Sequence, residues 1–331
     1  MFTEHKRKEI IRKFWCKPQI AFLSNKLNSK LSYIGLPGIE ALDIKAWLDY
    51  LNRVVAFQCS EYKEGRTTKK VDVNVLDNYL VDLERRALLE SSKVYEGFME
   101  DIVMGGMSER GDVYSQSDYF KVYNLDFCNQ LTTPREVIGP RGKIKYYHKL
   151  EVIDKLLSFQ KDNRDNGSRF IMYLTVNSNT FNQNYLKELS GSEYGRYLKK
   201  LDTIRKPEVV AVRHLKAFCF HRMTEIFEKN NFSVEFLPPV FYLGSEYPNR
   251  AKGNFENHRM MTFTILGTNA AGQSSIKQDV WKFLSQKFVF ANNSRLMPYT
   301  DKFIDEDDLQ SKIIELMEGT LTYKELWSKM A

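Results

Sequence analysis

The feature that most constrains this chain is a repeated exchange between two patterns. Short apolar, β-branched or aromatic runs give way to stretches with apolar residues at three-to-four spacing. LSYI runs into Gly35-Leu36-Pro37-Gly38, and Ile39, Leu42, Ile44, Trp47 and Leu48 follow at helical period. Val54 to Phe57 then reads as a strand covered on both faces, and residues 75–91 as a strongly periodic helix. Residues 93–103 are expected to form a third strand and 119–128 a fourth. A helix over 150–161 precedes a fifth strand over 169–177, and a helical region spans 184–230 with a break near Arg205-Lys206-Pro207.

Parallel neighbours need crossover connections, so five such units predict an α/β protein: a doubly wound, mostly parallel sheet with helices on both faces. Residues 233–244 and 258–268 lack a helix between them and predict a closing antiparallel edge hairpin, for about seven strands in all. The expected organisation is a basic N-terminal helical extension (1–30), a Rossmann-like domain (31–272) and a C-terminal helical appendage (273–331).

Charge narrows the partners. Forty-nine Lys and Arg against 42 Asp and Glu give a formal +7, a mild excess that favours anionic partners. The first thirty residues hold Lys6, Arg7, Lys8, Arg12, Lys13, Lys17, Lys26 and Lys30 against Glu4 and Glu9, with Ile10, Ile11, Phe14 and Trp15 at helical spacing: a basic amphipathic helix. The charged N-terminus offers no signal-peptide core and no apolar run reaches membrane-span length, so a soluble cytoplasmic protein with no membrane partner is expected. Cys16, Cys59, Cys128 and Cys219 form no CxxC pair, which speaks against a structural zinc site or a secreted disulfide framework. His214 and His221 lack a third ligand at suitable spacing, so no metal is expected. The absence of HExxH, GxxxxGK[ST], GxSxG and HxE with PCxxC removes support for zinc proteases, P-loop nucleotidases, serine hydrolases and zinc deaminases.

Over roughly residues 30–270, the order of five strand-helix units and a closing hairpin resembles class I S-adenosylmethionine-dependent methyltransferases. The resemblance implies a Rossmann-like fold and S-adenosylmethionine as cofactor. The glycine-rich loop after the family's first strand matches Gly35, Pro37 and Gly38, although this chain has two glycines where the family usually has three and Pro37 removes a backbone donor. Gln58 stands where the family usually has an acidic residue for the ribose hydroxyls. Glu61, three residues on, either substitutes for it or is a solvated loop residue. Glu100 and Asp101 match the position beside the adenine amine, or else cap the following turn.

The end of the fourth strand, where such enzymes place the reacting group, reads Tyr123-Asn124-Leu125-Asp126-Phe127-Cys128-Asn129-Gln130. It is similar to the Asp/Asn-Pro-Pro-aromatic motif of amino methyltransferases acting on nucleic acid, without its prolines. Aligned at Asp126, it resembles the Asp-Pro-Phe form of some RNA guanine methyltransferases. In that role Asn124 or Asp126 accepts the protons of an exocyclic amine and localises its lone pair, and Phe127 stacks on the base. The competing reading leaves Asp126 in loop hydrogen bonds and Phe127 in the core.

Immediately downstream, TTPREVIGPRGKIKYYHK interleaves Arg135, Arg141, Lys143 and Lys145 with Tyr146, which suits phosphates and bases together. A solvated charged loop is the alternative. Basic residues also outnumber acidic ones between 193 and 222, a second expected basic surface. The function expected from these residues is methyl transfer to a base of nucleic acid. The alternative is an inactive methyltransferase-like protein that binds nucleic acid or a protein partner within a larger assembly.

Overall fold

The computed structural model describes residues 6–64, 67–115, 119–127, 129–138, 143–162, 169–178, 207–249, 254–269, 289–291 and 296–298, together with 195, 199 and 315. The chain enters through α1 (Lys6–Ile10), a π-helical turn (Ile11–Cys16) and α2 (Lys17–Leu27). The basic face seen in the sequence has an apolar counterpart: Ile11, Trp15, Ile20 and Leu23 are buried, and Trp15 Nε1 donates to Thr264 Oγ1 at 2.9 Å.

β1 (Leu31–Gly35), α3 (Leu42–Trp47), β2 (Leu51–Gln58), α4 (Asn74–Arg85) and β5 (Ser91–Glu96) follow, with a two-stranded ribbon, β3 (Glu61–Glu64) and β4 (Thr67–Lys70), between β2 and α4. α4 buries Leu76, Leu80 and Leu83 on one face, but it stops at Arg85 because Ala87 takes φ +54°, so its expected extension to 91 is corrected. The expected third strand also divides. β5 ends at Glu96, Gly97 turns the chain at φ +126°, and residues 99–105 form α5 (Met99–Gly105). Glu100 and Asp101 therefore lie in a helix's first turn, not at a strand end.

β6 (Val122–Asp126), the hairpin β7 (Arg135–Ile138) and β8 (Ile144–Tyr147), α6 (Lys149–Asp162) and β9 (Arg169–Asn177) complete the parallel part. α7 (Pro207–Lys229) leads into β10 (Phe232–Phe236), β11 (Val240–Asn249) and β12 (Asn254–Asn269). The sheet runs β5-β2-β1-β6-β9-β12-β11, with β5 to β9 parallel and β12 antiparallel to β9. Counted along the chain, the parallel strands lie in the order third, second, first, fourth, fifth, the doubly wound order of dinucleotide-binding folds. The fold is Rossmann-like, as the resemblance to class I methyltransferases implies.

The closing hairpin is present with two corrections. Leu237-Pro238-Pro239 splits the expected strand 233–244 into β10 and β11, both paired with β12. Nor is the hairpin an edge: β13 (Val289–Ala291) pairs with β11 and β14 (Leu296–Pro298) with β13, so these residues, expected within a helical appendage, extend the sheet to ten described strands.

Alternation along the strands sends successive side chains to opposite faces. Ile34, Val55, Phe57, Tyr123 and Leu125 join the core under α5, α6 and α7, while Tyr33, Val54, Ala56 and Val122 join the core under α2, α3 and α4. The expected basic surface within α7 is partly interior: Lys216 is 1% and His214 3% exposed. Its residues 193, 196, 200, 202, 205 and 206 lie outside the described residues. Among the described residues no helix is long and apolar enough to cross a membrane.

Candidate functional site

β1 and β6 lie side by side, yet their connections leave toward opposite faces, β1 to α3 and β6 to α6. That is the switch point of the sheet, where the strand ends open into a crevice. The two strands approach closely. Gly35 is in register with Asn124, Leu36 N donates to Asn124 O at 2.9 Å, and a Cβ on Gly35 would fall 2.3 Å from that oxygen.

β6 carries two polar side chains on one face, two residues apart. Asn124 is 6% exposed. Its Nδ2 donates to Asp43 Oδ2 at 2.6 Å and to Tyr33 OH at 3.3 Å, which fixes the amide with its hydrogens toward α3. Asp43, in the first turn of α3, also accepts from Arg12 Nε in the π turn. Burial raises the Asp43 carboxyl above its ordinary pKa, and Arg12 opposes that rise. Asp126, at the end of β6, pairs with Lys8 of α1 at 2.5 Å. Lys8, Arg12, Asp43, Asn124 and Asp126, with Cys16, Trp47, Tyr173, Thr175, Tyr242 and Thr262, line one shallow cleft.

Phe127 takes the other side. It belongs to the core under α5 and α6, 7% exposed, with Lys149 Nζ 5.7 Å from its ring centroid. Of the three residues expected to position an acceptor, Asn124 and Asp126 line the cleft, and Phe127 is not among its lining residues.

None of the residues expected around a cofactor is among the residues lining that cleft. Gly35 ends β1, and Pro37 and Gly38 follow in the loop, with nothing within 4 Å of where a Cβ on Gly38 would stand. Glu100 is buried, and Asp101 Oδ2 accepts from Arg135 Nε and Nη2, both at 3.3 Å, while Asp101 Oδ1 is buried without a hydrogen-bond partner. The Arg135 guanidinium also lies 3.5 Å from the Phe98 ring centroid. Arg135, expected at a nucleic-acid surface, thus binds one of the expected cofactor residues. Lys149, 3% exposed, donates to Thr133 O at 2.6 Å, and burial lowers its pKa against the pull of Glu100. Gln58 Nε2 donates to Cys59 O at 3.0 Å. Glu61 is exposed in β3.

Lys143, Lys145 and Tyr146 are exposed on β8 and the residue before it, Tyr146 at 54%. Arg141 and Cys128 lie outside the described residues. Among the described residues no group of three or more His, Cys, Asp or Glu stands where it could hold a metal ion. Sequence reasoning missed Lys8, Arg12 and Asp43. The one available signal was a basic helix upstream of acidic groups.

The model of the PP_RS20740-like family matches residues 4–190 of this chain. No curated protein matches. Among solved structures, the YcgJ protein of Bacillus subtilis is 8% identical, with 75% of this chain and 98% of that chain covered at a TM-score of 0.35. A putative methyltransferase of Bacillus halodurans is 9% identical over 76% and 98% at 0.33, and a putative hemolysin of Streptococcus thermophilus 9% over 82% and 72% at 0.36. Superposition this loose adds nothing to what the strand order already states.

Proposed function

The chain belongs to the PP_RS20740-like family through a stretch that holds Lys8, Arg12, Asp43, Asn124 and Asp126, and from that premise we propose that its switch-point crevice serves S-adenosylmethionine-dependent methyl transfer to a base of nucleic acid. The observation that carries the reading is the pair Asn124 and Asp126, the polar side chains of an otherwise apolar strand, placed where the doubly wound sheet opens.

The cofactor's residues fit in part. The unpartnered Asp101 Oδ1 is an acceptor for an amine such as that of adenine, and the space beside Gly38 lets backbone approach a ligand. Gly35, Pro37, Gly38, Glu100 and Asp101 would hold it, with Glu61 at the ribbon beyond Gln58. When bound, S-adenosylmethionine supplies an electrophilic methyl group. The chain's own work is positioning: the oxygens of Asn124 and Asp126 accept the hydrogens of an exocyclic amine and aim its nitrogen lone pair. The exposed Lys143, Lys145 and Tyr146 supply phosphate and stacking contacts.

Calorimetric titration with S-adenosylmethionine is the test, with micromolar binding expected for wild type. Asp126→Ala should then remove methyl transfer while lowering stability by no more than about 1 kcal/mol, since Lys8 and Asp126 form a partly exposed pair. Full turnover in that variant ends the assignment. Replacing Lys143 and Lys145 by Gln should reduce the salt slope of oligonucleotide binding by roughly one for each phosphate no longer neutralised, and an unchanged slope removes this hairpin from the interface. Gln58, which offers no carboxylate to a ribose, favours a second reading, a silent methyltransferase fold that binds nucleic acid or a protein partner. Absence of cofactor binding to folded protein selects it.

A further inference from the structure

We propose that the N-terminal helix is a latch on the crevice: α1 closes over Asn124 and Asp126, and a ligand that engages those side chains must first lift Lys8 away. The inference rests on the reading of the crevice as the ligand site. Each carboxylate of the cleft is matched by a cation from this one segment, Asp126 by Lys8 and Asp43 by Arg12, and Arg7 Nη1 donates to Leu243 O of β11 at 2.5 Å, tying the segment to the far wall.

The hold is graded along the segment. α1 buries no residue, whereas α2 buries Ile20 and Leu23. The outer pair is the looser, with Lys8 and Asp126 side chains 30% and 20% exposed against 13% for both Arg12 and Asp43. Between α1 and α2 lies the π turn, where Lys17 N–H reaches back to Arg12 O. A single wide turn of this kind marks a weak point in a helix and recurs at functional sites.

The closed seat is also imperfect. Arg7 Nε and Gln19 Nε2 are buried without hydrogen-bond partners, a penalty that release of α1 relieves at Arg7. With its outer pair partly exposed and three consecutive cations at Lys6, Arg7 and Lys8, α1 is released by competing anionic charge. The polyphosphate of a nucleic acid is such a competitor, so the molecule that arrives as acceptor also opens the site.

Cys16 lines the cleft beneath the latch and is 3% exposed. Cys219, in α7, is fully buried in the other core and reports general loosening. The experiment compares iodoacetamide alkylation of these two thiols, resolved by peptide mass spectrometry, in full-length wild type, Lys8→Glu, and the charge swap Lys8→Glu with Asp126→Lys. Expected is a rise of about two- to fivefold in the Cys16 rate for Lys8→Glu, the size that goes with losing an ion pair of this exposure. Cys219 stays unchanged, and the swap returns Cys16 toward wild type. A Cys16 that stays protected in Lys8→Glu overturns the latch, as does a parallel rise at Cys219 or a swap that fails to restore protection. If Cys16 opens as expected in a protein that binds no S-adenosylmethionine, the latch stands and the methyltransferase reading falls.

Discussion

Replacing Gly35 by Ala tests how closely β1 and β6 meet at the switch point. An added Cβ would stand 2.3 Å from Asn124 O, 2.9 Å from Tyr33 OH and 3.0 Å from Asn124 C. Relief to ordinary contact near 3.4 Å requires β1 and β6 to part by about 1.1 Å at this point. Two of the three obstacles are backbone, so no rotamer change removes them. Forced overpacking of this kind costs about 1–3 kcal/mol, and stretching the bond from Leu36 N to Asn124 O adds roughly 0.5–1.5 kcal/mol. The expected loss is about 2–4 kcal/mol. Urea unfolding followed by tryptophan fluorescence reads it as a lower midpoint at unchanged slope. A loss below about 0.5 kcal/mol would refute the close approach of β1 to β6 at Gly35.

Two further outcomes follow from one buried and one half-buried polar group. Gln160, 1% exposed, accepts at Oε1 from Phe120 N (2.9 Å) and Tyr123 OH (2.7 Å) and donates from Nε2 to Phe120 O (2.7 Å). Gln160→Leu strands all three partners, so a loss of roughly 3 kcal/mol or more is expected; a loss within about 0.5 kcal/mol means that α6 is not pinned to β6 this way. His258, whose Nδ1 accepts from Asn177 Nδ2 at 3.1 Å, has its pKa lowered from 6.5 by burial. The unfolded chain therefore takes up the proton first as pH falls below 6.5, and stability drops until the folded-state value is passed. Denaturation midpoints between pH 7.5 and 5 should fall in wild type and less steeply in His258→Gln. Identical slopes discard the assignment.

The parallel strands were legible because each is an apolar run flanked by helical periodicity, and strands buried on both faces leave that mark. Residues 93–103 misled because Val94, Tyr95, Phe98 and Val103 look continuous as β-formers, while the turn rests on the backbone of Gly97 alone. β13 and β14, three residues each, are too short to carry any period. At the site, Asn124 and Asp126 stood out as polar interruptions of an apolar strand. Phe127 looked equivalent, but one residue of offset sends a side chain to the opposite face of a sheet. Lys8, Arg12 and Asp43 stayed hidden because their partners lie 31 to 118 positions away, and a charged helix reads as solvated until its neighbours in space are known.

β12 is sixteen residues long, with β9 along one flank and β10 and β11 in succession along the other. A nascent chain that has emerged only as far as Asn249 therefore holds three strands whose common partner does not yet exist. Each presents a row of unpaired amides and carbonyls, the surface on which chains stick to one another. Both β10 and β11 join the sheet through β12, so chains truncated within residues 250–260 should aggregate rather than persist as folded fragments.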